Sequence, residues 1–382
     1  MKIKDISTYI LKAPLERPFS SATMHFDHRK SLLVRIETDD GIVGWGEAGQ
    51  FGPAEVPRSA IEYIFKPMLI GKDPLETEKL WQEMYCYTRD YGQKGSIIEA
   101  ISGIDIALWD IKGKALNLPV SKLLGGRLRE KVCAYATGLY FRSDFTLEDY
   151  IKEAATFVDK GFKGIKVKIG SKSLAEDMAL IVGFRREFGD DFLIMVDCNH
   201  AYSAKVAIRV GKELEKHGVY WFEEPVIPED IDGYIEVRNA LSIAIAGGEC
   251  EFTPYGFRNL IARRAVDIAQ PDPCVAGGIT ACKRIIDLAD LFGVLVVPHV
   301  WGSAVAMHAA LQLIAVIPDQ PSTNMPRPGI NQTLLEYDQS ENPLRENLSR
   351  SSLEFIDGYV TIPGRPGIGV EIDESMIEKY SV

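Results

Sequence analysis

The chain predicts a (β/α) TIM-type barrel with an α+β N-terminal capping domain completed by the C-terminal tail, and three observations lead there. Six short apolar runs of strand character end in polar residues: GIKVKIG (164–170), FLIMVDCNH (192–200), VYWFEEP (219–225), IAIAGGE (243–249), VDIAQPD (266–272) and VLVVPHV (294–300). From Lys168 the polar ends fall at Asp197, Glu223, Glu249, Asp272 and His299, in steps of 29, 26, 26, 23 and 27 residues. Each step is the length of one strand plus one crossover helix. The 382 residues can also hold a second domain beside a barrel of about 250 residues.

Along the chain, residues 2–12 and 30–38 come first and have strand character, and the second run enters IVGWGE through Thr38-Asp39-Asp40-Gly41, a hairpin-turn signal. Residues 14–29 between them lack periodicity and read as a lid or a surface connection. Helical patterns occupy 55–115, the clearest placing Ile97, Ile101, Ile104, Leu108 and Ile111 on one face. The barrel begins near Val132. Beyond about residue 345 the repeat is left, and 358–372 reads as two short strands returning to the first domain. The expected division is a capping domain at 1–126, a barrel at 127–345 and a returning segment at 346–382.

Composition excludes several classes of partner. With 46% apolar and 25% charged residues the chain is an ordinary globular one, and a formal charge of −11 argues against nucleic acid and anionic membrane. The six cysteines show no CxxC spacing, which points to reduced thiols in the cytoplasm rather than a zinc site. The N-terminus has too short an apolar stretch for a signal peptide. Leu291 to Pro318 lacks charged residues, but Gly293, Pro298 and Gly302 interrupt it, so it reads as a buried strand and helix rather than a membrane span.

Strand parity then selects the chemistry. In GIKVKIG the apolar Ile165, Val167 and Ile169 share the face that suits the surrounding helices, so Lys166 and Lys168 point into the barrel. Adjacent ammonium groups depress each other's pKa, which would free a lysine to act as a base. Asp197 and Asn199 share a face, and Asp197, Glu223 and Glu249 supply carboxylates from three consecutive strand ends. Trianionic oxygen ligation favours a hard divalent ion, Mg²⁺ by default, with Mn²⁺ the other candidate. Parity leaves open whether Glu223 or Glu224 is the middle ligand. Asp272 and His299 end neighbouring strands, so the carboxylate would fix the imidazole tautomer and raise its basicity. A metal between two bases suits proton abstraction beside a carboxylate. Glu336, near the next strand position, is the candidate for a protonated acid that donates to the enolate.

These residues, in this order, resemble the mandelate racemase subgroup of the enolase superfamily through KVK (166–168), DxN (197–199), EEP (223–225), GGE (247–249), QPD (270–272), PHVW (298–301) and LEYD (335–338). The resemblance implies Asp197, Glu223 and Glu249 as Mg²⁺ ligands, Lys168 and His299 as general bases, and Asp272 as the residue orienting His299. It further implies Lys166 beside the bound carboxylate and Glu336 as electrophilic acid. Within the subgroup the chain is similar to galactarolactone cycloisomerases through 18–47, YATG (135–138), ENPLRE (341–346) and PHVWG. That likeness implies β-elimination opening the ring of a sugar-diacid lactone to a 3-deoxy-2-keto-hexarate. Acid-sugar dehydration and epimerisation share the same enolate and are the alternatives, with a catalytically retired sugar-acid-binding barrel as the non-enzymatic one. Asn199, His25 and Trp301 are the further substrate-binding candidates, and homo-oligomerisation (octamers, by analogy) is expected.

Overall fold

The computed structural model describes residues 1–49 and 51–382. Three antiparallel strands, β1 (Ile3–Ser20), β2 (His25–Thr38) and β3 (Val43–Glu47), form the first sheet, in the order β1-β2-β3. Thr38, Asp39, Asp40 and Gly41 make the expected turn between β2 and β3, with Gly41 at φ 85°. The segment at 14–29 is not an irregular loop. β1 and β2 run on past it as a long hairpin, with an irregularity between Pro14 and Phe19 where the pairing slips. The prolines and the slip remove the alternation by which a strand is recognised in sequence.

The periodic segment forms a helix over Ser96–Leu116, buried on nearly all sides. It lies against β3 at backbone distance: a Cβ on Gly46 would sit 1.9 Å from the Gly103 carbonyl oxygen. A second seam ties this layer to the C-terminal half of the chain. Buried Glu47, at the end of β3, accepts from the backbone N–H of Ser303 at 3.1 Å, from the Ser303 hydroxyl at 2.5 Å and from Ala306 N–H at 3.1 Å.

Eight parallel strands then alternate with helices: β4 (Lys131–Thr137), β5 (Gly164–Lys168), β6 (Leu193–Asp197), β7 (Trp221–Glu223), β8 (Ala244–Gly247), β9 (Ile268–Ala269), β10 (Leu295–Val296) and β11 (Leu335–Asp338). They pair in sequence from β4 to β10, and β11 pairs in parallel with β4, the barrel order. Outward residues such as Ile165, Val167, Ile194, Val196 and Phe222 join one core with the helices. Inward residues including Tyr135, Met195, Trp221 and Ile268 fill the barrel interior. The uncharged 291–318 segment becomes β10 and a wholly buried helix, Ala304–Ile314; among the described residues no helix is long and apolar enough to cross a membrane.

The strand pair expected at 358–372 forms earlier and docks elsewhere. β12 (Phe355–Ile356) and β13 (Tyr359–Thr361) make a hairpin, and β13 pairs antiparallel with β4 of the barrel. Beyond it the tail reaches the first domain, where Ile368 N–H donates to Asp110 and Ser381 bridges Leu11.

Candidate active site

Strand register sets the floor of the site. Lys168 lies opposite Asp197 across β5 and β6, and Asp197 lies opposite Glu223 across β6 and β7, so all three stand at one level of the barrel mouth. Glu249 follows β8 after Gly247 and Gly248. Carboxylate oxygens of buried Asp197, Glu223 and Glu249 lie within 4.8 Å of one another. The choice between Glu223 and Glu224 is made by the backbone: Glu224 has φ 46° and turns away, placing its carboxylate 3.1 Å from His200 Nδ1. Asn199 (φ 40°) and His200 (φ 54°) are also left-handed, so three non-glycine residues in a costly conformation cluster at this rim.

Both lysines face inward at different depths. Lys166 lies level with Met195 inside the barrel, its Nζ 2.7 Å from Glu223 Oε1 and 2.8 Å from Glu336 Oε1. Lys168 reaches the cavity, donating to Asp197 and, at 3.1 Å, to Asn199 Oδ1. The expected depression of the lysine pKa values does not occur in the protein alone. Burial opposes the charge on each, but Asp197 beside Lys168 and Glu223 with Glu336 beside Lys166 outweigh burial and mutual repulsion, holding both above the usual lysine range.

Asp272 and His299 are neighbours as expected, three residues past the ends of β9 and β10. His299 Nδ1 lies 2.7 Å from Asp272 Oδ2, and the other Asp272 oxygen accepts from Cys274 N–H at 2.7 Å, fixing the carboxylate. His299 Nε2 is 3.5 Å from Glu249. Burial disfavours the imidazolium, but Glu249 and Asp272 dominate and push its pKa up to about 10. Lys168 and His299 thus flank the acidic triad, one against Asp197 and the other against Glu249.

Glu336 departs from expectation. It is buried, yet Lys166, the Thr137 hydroxyl at 2.6 Å and Val300 N–H at 3.1 Å all donate to it. Burial favours the acid form, but Lys166, His299 and these donors win and bring the pKa down to about 2. Glu336 is therefore an ionised acceptor in this structure rather than a proton-bearing donor. Neither it nor Lys166 lines the cavity, and Lys166 bridges Glu336 to Glu223 of the triad.

Above the floor is a cavity of about 300 Å³. Lys168, Asn199, Glu249, His299 and Trp301 line it, and the tip of the β1–β2 hairpin supplies Ser21, Thr23, Met24 and Phe26. Trp301 is held by Tyr140, whose hydroxyl accepts its indole N–H at 2.8 Å, and it stacks on Phe51 with centroids 5.7 Å apart. His25 does not enter: it bonds the Ser20 hydroxyl at 2.9 Å and borders a separate outer groove with Arg17 and Arg142. Alternation along β2 turns Phe26 inward and sends His25 out. Sequence reasoning missed Glu99, Phe51, Phe252 and the His200–Glu224 pair. Glu99 sits within a helix whose pattern marks only core, while His200, next to DxN, stood beside a visible motif.

The triad suits a hard cation. Glu223 and Glu249 are each raised to about 7, by burial first and then by neighbouring carboxylates, a repulsion that a divalent ion relieves. A second group, His200, Glu224 and Cys250, adjoins it. Burial and the Glu224 charge hold the Cys250 thiol protonated, so it offers no thiolate.

Barrel, cap and acidic triad define an enzyme class that takes a proton from the carbon beside a carboxylate. Residues 5–125 match the mandelate racemase/muconate lactonizing enzyme N-terminal domain, and residues 149–376 match the enolase C-terminal domain-like family. The chain belongs to the mandelate racemase group of the enolase superfamily. It is similar, at 44% identity over 382 residues (100% of this chain, 99% of the relative), to the D-galactarolactone cycloisomerase of Agrobacterium fabrum. Among solved structures, the 3,6-anhydro-D-galactonate cycloisomerase from Zobellia galactanivorans superposes with TM-score 0.89 at 42% identity, covering 100% of both chains. An L-talarate/galactarate dehydratase mutant liganded with Mg and L-glucarate superposes with TM-score 0.88 at 29% identity, covering 100% of this chain and 92% of that one.

Proposed function

We propose that the protein is a Mg²⁺-dependent sugar-acid cycloisomerase, which opens a ring by removing the proton α to a carboxylate and expelling the ring oxygen on the next carbon. One observation carries this: an amine and a carboxylate-bound imidazole flank a convergent acidic triad at the floor of one cavity. Asp197, Glu223 and Glu249 would hold the ion, Mg²⁺ or Mn²⁺, whose charge supports the carboxylate and the enediolate derived from it. Lys168 or His299 takes the α-proton, and the other can return a proton from the opposite side. Asp272 fixes the proton on His299 Nδ1, leaving Nε2 as the nitrogen that gains or loses a proton. Lys166, deeper in the barrel, balances Glu223 and Glu336, and Asn199 and Trp301 orient the sugar.

The bonds balance without water. In a lactone the C–H electrons become the new double bond and the ring C–O bond breaks. The ring oxygen leaves as a carboxylate, and the enol ketonises, so one proton is released per turnover. In a cyclic ether the departing oxygen takes up the proton and none is released. The two cycloisomerases among the relatives support this reading. The dehydratase supports a second, in which the same groups expel hydroxide from an open-chain acid. The protein with Mg²⁺ in D₂O, given a panel of sugar acids and lactones, separates them. Ring opening without loss of water supports cycloisomerisation, loss of water supports dehydration, and deuterium uptake with inversion alone would replace both by epimerisation.

A further inference from the structure

Tyr140 reaches the cavity because the backbone just before it leaves the strand conformation. Thr137 ends β4 with its side chain inward, donating to Glu336. A strand continued at that parity would send Leu139 inward and Tyr140 out. Instead Leu139 takes φ 56°, an uncommon and costly conformation for a branched side chain. Leu139 thereby joins the outer core, while Tyr140 packs on Phe19 and lines the cavity with Lys168 and Trp301. Tyr140 is buried, and its hydroxyl is half used. The oxygen accepts the Trp301 indole N–H at 2.8 Å, but among the described residues no group accepts the phenolic proton. Lys168 Nζ lies 5.5 Å from the Tyr140 ring centroid. The other hydroxyls lining the cavity, on Ser21 and Thr23, stand on the turn between β1 and β2.

In a β-elimination the departing oxygen keeps the electron pair of its C–O bond. A lactone oxygen leaves as a carboxylate and needs no proton. An ether or hydroxyl oxygen would leave as a strongly basic anion, so it needs a donor at that moment. We propose that Tyr140 is this donor: its O–H hydrogen-bonds the departing oxygen of any substrate and protonates the oxygen of an ether or hydroxyl as it leaves. The inference rests on the reading that Lys168 or His299 enolises the bound acid. For a ring ether, the base takes the α-proton, the C–H electrons become the new double bond, and the C–O bond breaks onto the ring oxygen, which receives the Tyr140 proton. The phenolate regains a proton from Lys168, the α-proton held by the abstracting base restores the balance, and the enol ketonises. Substrate and product are then isomers. Burial first, and then Asp338, hold the phenol above its usual pKa against the opposing charges of Lys168 and Arg29, so Tyr140 keeps its proton until the oxygen departs.

The test compares the Mg²⁺-loaded wild type with Tyr140→Phe on galactarolactone, 3,6-anhydrogalactonate and galactonate, measuring kcat/KM for C–O cleavage and α-hydrogen exchange in D₂O. Tyr140→Phe should lower kcat/KM at least about 100-fold for cleavage of the ether or the aldonate. It should cost less than about fivefold in opening of the lactone and in α-hydrogen exchange of the ether or aldonate, neither of which needs the donor. The substitution also frees the Trp301 N–H, so Trp301→Phe, which removes that bond but keeps the Tyr140 O–H, is the control. Its losses on ether and lactone should agree within about threefold. Equal losses across the leaving groups in Tyr140→Phe, or loss of exchange together with cleavage, would make Tyr140 a wall and overturn the inference. So would an ether-specific loss of the same size in Trp301→Phe, or a wild type that cleaves neither the ether nor the aldonate. If the wild type neither exchanges the α-hydrogen of any acid in the panel nor cleaves one, the underlying reading fails and the inference falls with it.

Discussion

Replacing Asp272 by Asn removes one charge and leaves the shape. In the wild type the buried Asp272 carboxylate stands 2.7 Å from His299 Nδ1 and is anchored by Cys274 N–H at 2.7 Å. The amide can keep the Cys274 bond, but its NH₂ then faces Nδ1, which favours the tautomer with the proton on Nε2 and blocks that nitrogen as a base. A hydrogen bond to a charged group is worth about 1.5–3 kcal/mol net, and each 1.36 kcal/mol of barrier is tenfold in rate, so kcat/KM should fall by about 10- to 150-fold. The sign of the pH effect is also fixed. Asp272 stabilises the imidazolium, so its loss lowers the His299 pKa, and the limb of the pH–rate profile due to His299 moves to lower pH. The assay is kcat/KM for ring opening across pH, with Mn²⁺ binding followed by electron paramagnetic resonance as a control, because Asp272 is outside the triad. A variant within threefold of wild type, with an unshifted profile, would refute the role given to this pair.

Metal affinity should fall as pH drops through about 7, where Glu223 and Glu249 take up protons, with a limiting slope of two protons per ion; calorimetry in buffers of different ionisation enthalpy counts them. Glu249→Gln should weaken Mn²⁺ binding at least about 100-fold, and equal affinity would remove Glu249 from the ligand set. Glu47→Ala strands the donors of Ser303 and Ala306 in the seam between cap and barrel. It should cost about 3 kcal/mol in urea unfolding with an unchanged m-value. Trp301→Ala removes the wall stacked on Phe51 and should raise KM about tenfold while sparing metal binding.

The barrel was legible because a closed parallel sheet repeats both its step and its parity. A lysine pair on the inward face of 164–170 has no solvated side to occupy, and the acids at regular steps then converge. The cap was harder to read. Pro14, Pro18 and the slip in register hide a long hairpin inside an apparently irregular stretch, so reading the sequence alone selects His25 for the site and passes over Phe26, which lines it. Glu99 is invisible for another reason: on a helix buried all round, a functional acid and a structural one have the same neighbours in sequence. Protonation was the least legible property. Lys168 and Glu336 take their charge states from partners 29 and 170 residues away in sequence, Asp197 and Lys166, and only their convergence shows which influence prevails.

The central claim is that the triad's cation and the two flanking bases together labilise a hydrogen beside a carboxylate. Deuterium placed at that carbon of galactarolactone, followed by mass spectrometry with the metal-stripped and Mg²⁺-restored protein, tests it directly. The account predicts loss of the label with a primary isotope effect on kcat/KM, only when Mg²⁺ is present and abolished by Lys168→Ala combined with His299→Asn. Ring opening that keeps the label, or that proceeds at the same rate without the metal, would contradict it.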